Sequence, residues 1–221
     1  MGTGANLAEA TSIAPTGTIL RGLKWLAIAA LAAMALFFYI EVAVRYTNFS
    51  QASYGTYWPN RGWLIAHLSG GSLALLLGPF QLWSGLGRKR MRIHPWIGRL
   101  YLCGVLLGSM AAFYLASVSQ LRTFGISLAA LGTVWLTSAA MAYLAIRNRQ
   151  IESHKQWMIR SYVLTYAFVT FRWIDKLGLF DGLGLEKFAT IGWLCWTLPL
   201  FFTEVAFQWK RVARRPAHGG A

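Results

Sequence analysis

A chain of 221 residues that is 56% hydrophobic, has a mean hydropathy of +0.45 and is charged at only 13% of its positions is too apolar for a soluble domain. Its 21 Lys and Arg against 7 Asp and Glu give a net charge of +14, which in a soluble protein would point to nucleic acid. Here the basic residues fall between apolar runs, where they set topology and meet anionic lipid, so nucleic acid is not the expected partner.

About 20 apolar residues span a bilayer, and six segments meet or approach that length: 24–45, 63–85, 96–119, 123–146, 157–174 and 188–208. The fifth is the shortest. No small-x-small cleavage pattern follows the first run, which therefore reads as a retained helix and not as a removable signal. The expected fold is all-α, a polytopic membrane protein with a flexible segment at 1–20, one six-helix domain at 21–209 and a basic tail at 210–221. Cys103 and Cys195 both lie inside apolar runs, which excludes a disulfide framework and a cysteine-based zinc site.

Placing every Lys and Arg on one of the two sides tests that count. The side holding the N-terminus, the loops near 86–95 and 147–156 and the tail collects fifteen, and the other side six. The positive-inside rule puts both termini in the cytoplasm, and an odd number of helices would have sent the basic tail across. A bacterial inner membrane is the expected location, with anionic head groups at the cytoplasmic face and other membrane subunits as candidate partners. Residues 46–62 carry Tyr46, Phe49, Tyr54, Tyr57 and Trp58 on the outer side. They belong either to an interfacial aromatic belt, the simpler reading, or to a flap over a pocket.

At 100° per residue, His67 on the second helix shares a face with Gly70, Gly71, Ala74, Gly78, Gln81 and Gly85. Such a small-residue face either lets helices approach closely or accepts a flat ligand, with His67 and Gln81 as its polar contacts. His94 aligns with Gly98, Tyr101, Val105, Gly108 and Ala112, and His154 with Met158, Ser161, Thr165, Phe168 and Arg172, so these faces should point inward. Glu41, Arg172 and Glu204 are charges within apolar runs, which calls for partners or a polar cavity. A Glu41–Arg172 pair is expected in the outer half.

The pattern Trp-x-x-Arg-x-Tyr occurs at Trp96–Tyr101 and again at Trp157–Tyr162, each just after a histidine. His94 before Pro95 reads as a helix N-cap, and Ser153 with Gln156 as a capping box that puts His154 in a first helical turn. Neutral imidazoles there are suited to iron, so His94 and His154 are candidate ligands of a b-type haem, with Arg99 and Arg160 for its propionates. The same residues serve equally as interfacial anchors, or as a site for an anionic head group or a quinone. His67 starts its helix from the other side, about 25 Å away along the normal, and cannot join them on one metal.

The strings His67-x-x-Gly-Gly-x-x-Ala-Leu75, Gly78-Pro-Phe-Gln81, His94-Pro-Trp-Ile-Gly-Arg-Leu-Tyr101, His154-x-x-Trp-Met-Ile-Arg-Ser-Tyr162 and Phe171-Arg172 resemble a bacterial membrane family known as domain of unknown function 2306. That resemblance implies a polytopic bacterial membrane protein and supplies no reaction. A weaker likeness is to the ascorbate-reducible b-type cytochromes, six-helix proteins with paired intramembrane histidines, which implies haem. The leading functional expectation is a membrane redox or electron-transfer protein, or a subunit of one, with a b-type haem or a quinone. An accessory or lipid-binding module and a transporter lined by Glu41, Arg172 and Glu204 are the alternatives.

Overall fold

The computed structural model describes residues 16–87 and 90–213, and among them every regular element is helical. In order they are α1 (Thr16–Phe38), a π-helical turn (Tyr39–Ala43), a 3-10 turn (Val44–Thr47), α2 (Gln51–Tyr54), a 3-10 stretch (Gly55–Asn60), α3 (Arg61–Leu86), α4 (His94–Ser117), α5 (Arg122–Arg147), α6 (Ile151–Thr165), α7 (Ala167–Lys176), a 3-10 turn (Asp181–Leu183) and α8 (Glu186–Ala213). α1 begins within the expected 1–20 segment and α8 runs into the expected tail. The remainder of both segments, with His218, lies outside the described residues.

Among the described residues, five stretches are long and apolar enough to cross a membrane: Ile28–Thr47, Gln51–Leu86, His94–Ser117, Arg122–Arg147 and Glu186–Ala213. The expected fifth segment, 157–174, is not one helix but α6 and α7, which meet at Tyr166 without a proline or glycine. Two threonines back-bond on either side of the break. Thr165 Oγ1 donates to the Ser161 carbonyl at 2.9 Å and Thr170 Oγ1 to the Tyr166 carbonyl at 3.3 Å, a back-bonding that competes with the helix ladder. Laid end to end the two pieces still extend about 37 Å at 1.5 Å per residue.

Short turns make successive long helices antiparallel. The turns at 90–93 and 148–150, the start of α1 and the end of α8 share one end of the bundle, the basic end; residues 47–60, 118–121 and 177–185 form the distal end. α5 stops where Arg149 turns left-handed (φ 57°) and the Gln150 N–H reaches back to the Ala145 carbonyl at 2.8 Å, a Schellman closure that uses an arginine where glycine is usual. α6 therefore begins at Ile151, and Ser153 sits inside it instead of capping it. His94 likewise is the first helical residue of α4, and Ile93 occupies the N-cap position.

Glycine lets α3 and α4 approach closely. A Cβ on Gly70 would stand 2.5 Å from the Gly108 backbone nitrogen and 2.6 Å from the Gly104 carbonyl oxygen, so α3 and α4 touch backbone to backbone. Further along α3, Pro79 has no N–H for the Leu75 carbonyl. The Tyr162 hydroxyl donates to that carbonyl at 3.4 Å, and its ring lies in the notch that Gly78 leaves. Of the inward faces read from the sequence, Tyr101, Val105 and Ala112 on α4 and Met158, Ser161 and Thr165 on α6 are buried around Trp135 and Leu131 of α5, whereas Arg172 is exposed.

α1 is the outlying helix. It is tied to α6–α7 by side chains that reach its backbone, Tyr166 Oη to the Leu31 carbonyl at 2.5 Å and Trp173 Nε1 to the Met34 carbonyl at 3.3 Å, with Phe37 packed on Trp173. The aromatic segment at the distal end folds as a flap with its own small core. Ser50 caps α2, Tyr54 is buried with its hydroxyl on the Tyr46 carbonyl at 2.8 Å, and Trp58, Leu64 and Leu115 pack around it.

Candidate functional site

At the basic end the structure brings His94 and His154 together, their ring centroids 6.4 Å apart and their planes nearly perpendicular. Both nitrogens of His94 are engaged, Nδ1 with Ser84 Oγ at 2.9 Å and Nε2 with Gln81 Nε2 at 3.2 Å. An amide nitrogen only donates, so His94 Nε2 accepts and Nδ1–H donates to Ser84, whose hydroxyl passes on to the Gln81 carbonyl. His154 donates Nδ1–H to the Ala142 carbonyl at 2.8 Å. The cavity beside the rings measures about 20 Å³, room for about one water and far short of a macrocycle. The two histidines meet, as the haem reading required, but Gln81 and Ser84 already satisfy His94, and haem does not fit between the rings.

The repeated Trp-x-x-Arg pairs share one local geometry and diverge beyond it. The guanidinium lies 4.7 Å from the ring of Trp96 for Arg99, and 4.7 Å from that of Trp157 for Arg160. Arg160 also grips Glu204 through two hydrogen bonds of 2.5 and 2.8 Å, with Phe207 on its other side. Arg99 is exposed and has no carboxylate partner among the described residues. The expected Glu41–Arg172 pair does not form. Glu41 lies exposed on the π-helical turn, and Arg172 faces a cavity.

That cavity measures about 150 Å³, is partly open and lies in the distal half of the bundle. Leu64, Leu68, Leu75, Leu128, Leu131, Phe124, Phe168 and Trp135 give it apolar walls, Phe38 at the end of α1 and Val42 on the π-helical turn reach it, and Tyr46 and Tyr57 come from the flap. His67, Ser72, Thr165 and Arg172 supply polar atoms. Gly71 lines it, and a Cβ added there would meet nothing within 4 Å, whereas Gly70 and Gly78 are covered by Gly108 and Tyr162. The glycine face of α3 thus serves helix packing for most of its length and opens to a ligand space only beside His67.

His67 donates Nδ1–H to the Gly108 carbonyl at 2.9 Å and meets Phe168 edge-on with centroids 5.1 Å apart. His67 lines the cavity, and its Nε2 makes no hydrogen bond among the described residues. Below it the Tyr101 hydroxyl bonds to Ser161 Oγ at 2.9 Å and Thr165 Oγ1 at 3.0 Å, and Trp135 Nε1 donates to Thr165 Oγ1 at 2.9 Å. Thr165 spends its own proton on the Ser161 carbonyl. This network closes the cavity floor with its hydrogen bonds used internally.

A family model described as Predicted membrane protein (DUF2306) matches residues 64–207. The chain belongs to that family. It is a multi-pass membrane protein, and no curated protein and no solved structure matches it. The likeness to ascorbate-reducible cytochromes is accordingly without support. The DUF2306 match takes in His67, Gln81, His94, Arg99, His154, Arg160, Arg172 and Glu204, and leaves out Glu41 and the flap. Sequence reading named those residues but not Ser84, Trp135 or Thr165 as polar partners; only the heptad-like spacing Met158, Ser161, Thr165 hinted at the last.

Proposed function

We propose that this DUF2306 protein binds a lipid-soluble molecule of the quinone class in the distal cavity and acts as a membrane redox protein or as a redox subunit. One observation carries the reading: an apolar cavity of about 150 Å³ flanked by His67 and Arg172. A space of that size takes a single six-membered ring, and an apolar pocket with a few convergent polar groups is the usual form of a small-molecule site. A porphyrin is several times larger. The chain would cross a bacterial cytoplasmic membrane six times, α6 and α7 together making the fifth passage, with both termini inside. The fifteen-to-six distribution of Lys and Arg supports that orientation. Arg90, Arg92, Arg99, Arg147 and Arg149 at the basic end would then meet anionic head groups.

Organic extraction of the purified protein, with mass spectrometry of the extract, should return a quinone at about one per chain, and Gly71→Leu, whose Cβ meets nothing within 4 Å and whose side chain would take up cavity space, should lower that yield several-fold. Recovery of phospholipid alone would instead support an accessory or lipid-binding role. A dithionite-dependent visible band from the intact protein would reinstate haem. Transport along Glu41, Arg172 and Glu204 has less behind it, since Glu204 is taken by Arg160 and only Arg172 lines the cavity.

A further inference from the structure

The orientation of His67 carries the ligand assignment one step further, and this step rests on the quinone-class reading above. A backbone carbonyl can only accept, so the 2.9 Å bond to the Gly108 oxygen requires the proton on Nδ1. The cavity lining contains Arg172 and no carboxylate, so nothing there would balance a second proton on the ring. Nε2 therefore presents a lone pair. Thr165 and the Tyr101 hydroxyl are consumed in the floor network, and Ser119 donates to the Leu121 carbonyl. His67 Nε2 is the strongest acceptor left facing the space.

We infer that the cavity selects the reduced, hydroxyl-bearing member of a quinone/hydroquinone pair. A quinone ring carries acceptors only: its carbonyls can accept from Arg172 or Tyr57, but it has no donor to offer Nε2. A hydroquinone donates one O–H to Nε2, and its other oxygens can accept from Arg172 or Tyr57 at the cavity wall. Leaving a buried acceptor unpaired costs more than an average hydrogen bond contributes, so the discrimination falls on the quinone. The family of ligands admitted is a single six-membered ring with a free phenolic hydroxyl and an apolar tail.

Three probes decide it, each titrated anaerobically into the purified full chain in detergent: a decyl-substituted dimethoxy hydroquinone, the matching quinone, and the matching hydroquinone dimethyl ether. The hydroquinone should bind about tenfold more tightly than either of the others, the ratio that one hydrogen bond near 1.4 kcal/mol gives. In His67→Phe, which keeps a ring and loses the acceptor, the three affinities should converge. Because that variant also gives up the bond to Gly108, the wild-type ratio stands as evidence without it. Binding of all three with no preference, or a preference for the quinone, overturns the inference and leaves the cavity reading standing. If none of the three binds, the cavity reading fails and takes the inference with it.

Discussion

Arg160 and Glu204 illustrate how a single residue changes role once its neighbours are known. A lone arginine after a membrane-entering tryptophan reads as a lipid-phosphate anchor, and that reading stays open for Arg99, which has no carboxylate among the described residues. Arg160, its counterpart, is instead half-buried in a two-point ion pair that joins α6 to α8 between two aromatic rings. Removing one partner leaves an uncompensated charge, whereas removing both removes the problem. Glu204→Gln and Arg160→Leu should each destabilise by about 1–3 kcal/mol, and the Arg160→Leu/Glu204→Leu double variant should recover most of that loss. Unfolding of all four proteins in the same detergent checks it; strictly additive losses would show that the pair is incidental.

At the scale of elements, the contact between α3 and α4 depends on glycines at two depths with different neighbours. Gly70 faces backbone atoms of Gly104 and Gly108, which cannot rotate away, while Gly71, one position on, faces open space. A methyl at position 70 must push the helices apart, at a cost of about 1–3 kcal/mol. The same methyl at position 71 should be close to neutral and removes a little cavity volume. Thermal unfolding of Gly70→Ala and Gly71→Ala separates the two cases, and equal effects would mean that α3 is rotated from its described position. The Gly78-Pro79 step is a second device of this kind, since the proline frees the Leu75 carbonyl and the glycine admits the Tyr162 ring whose hydroxyl binds it.

For the whole molecule the passage made by α6 and α7 decides the topology. Their combined length is sufficient, but the bend at Tyr166 puts Thr165 and Phe168 against the cavity and leaves α1 leaning on α7 instead of on the main bundle. With six passages, reporter fusions after Tyr57 and after Gly182 should fall on the outer side, and one after Arg149 on the inner side. A fusion after Gly182 that reports the inner side would mean that α6 and α7 enter and leave the membrane at the same face. The orientation also predicts where the cavity opens, in the leaflet opposite the arginine-rich turns.

The sequence by itself determined the class of protein, the position of most helices, their inward faces and the end at which basic charge collects, because hydropathy and a 3.6-residue period are local properties that survive any arrangement of neighbours. It also marked His67, His94, His154, Arg160 and Arg172 as residues to watch. Tertiary structure alone decided what each one does. His94 and His154 come within 6.4 Å, yet Gln81 and Ser84 occupy both nitrogens of His94. Glu204 chose Arg160 over solvent, and Glu41 was left without Arg172. The break at Tyr166 falls between two threonines that bond back to carbonyls of the preceding turn, and bonds of the same kind inside α5 and α8 leave those helices whole, so no local string of residues announces it. Hydrogen-bond partners and cavities belong to pairs of helices, and a linear string of residues does not specify which pairs will meet.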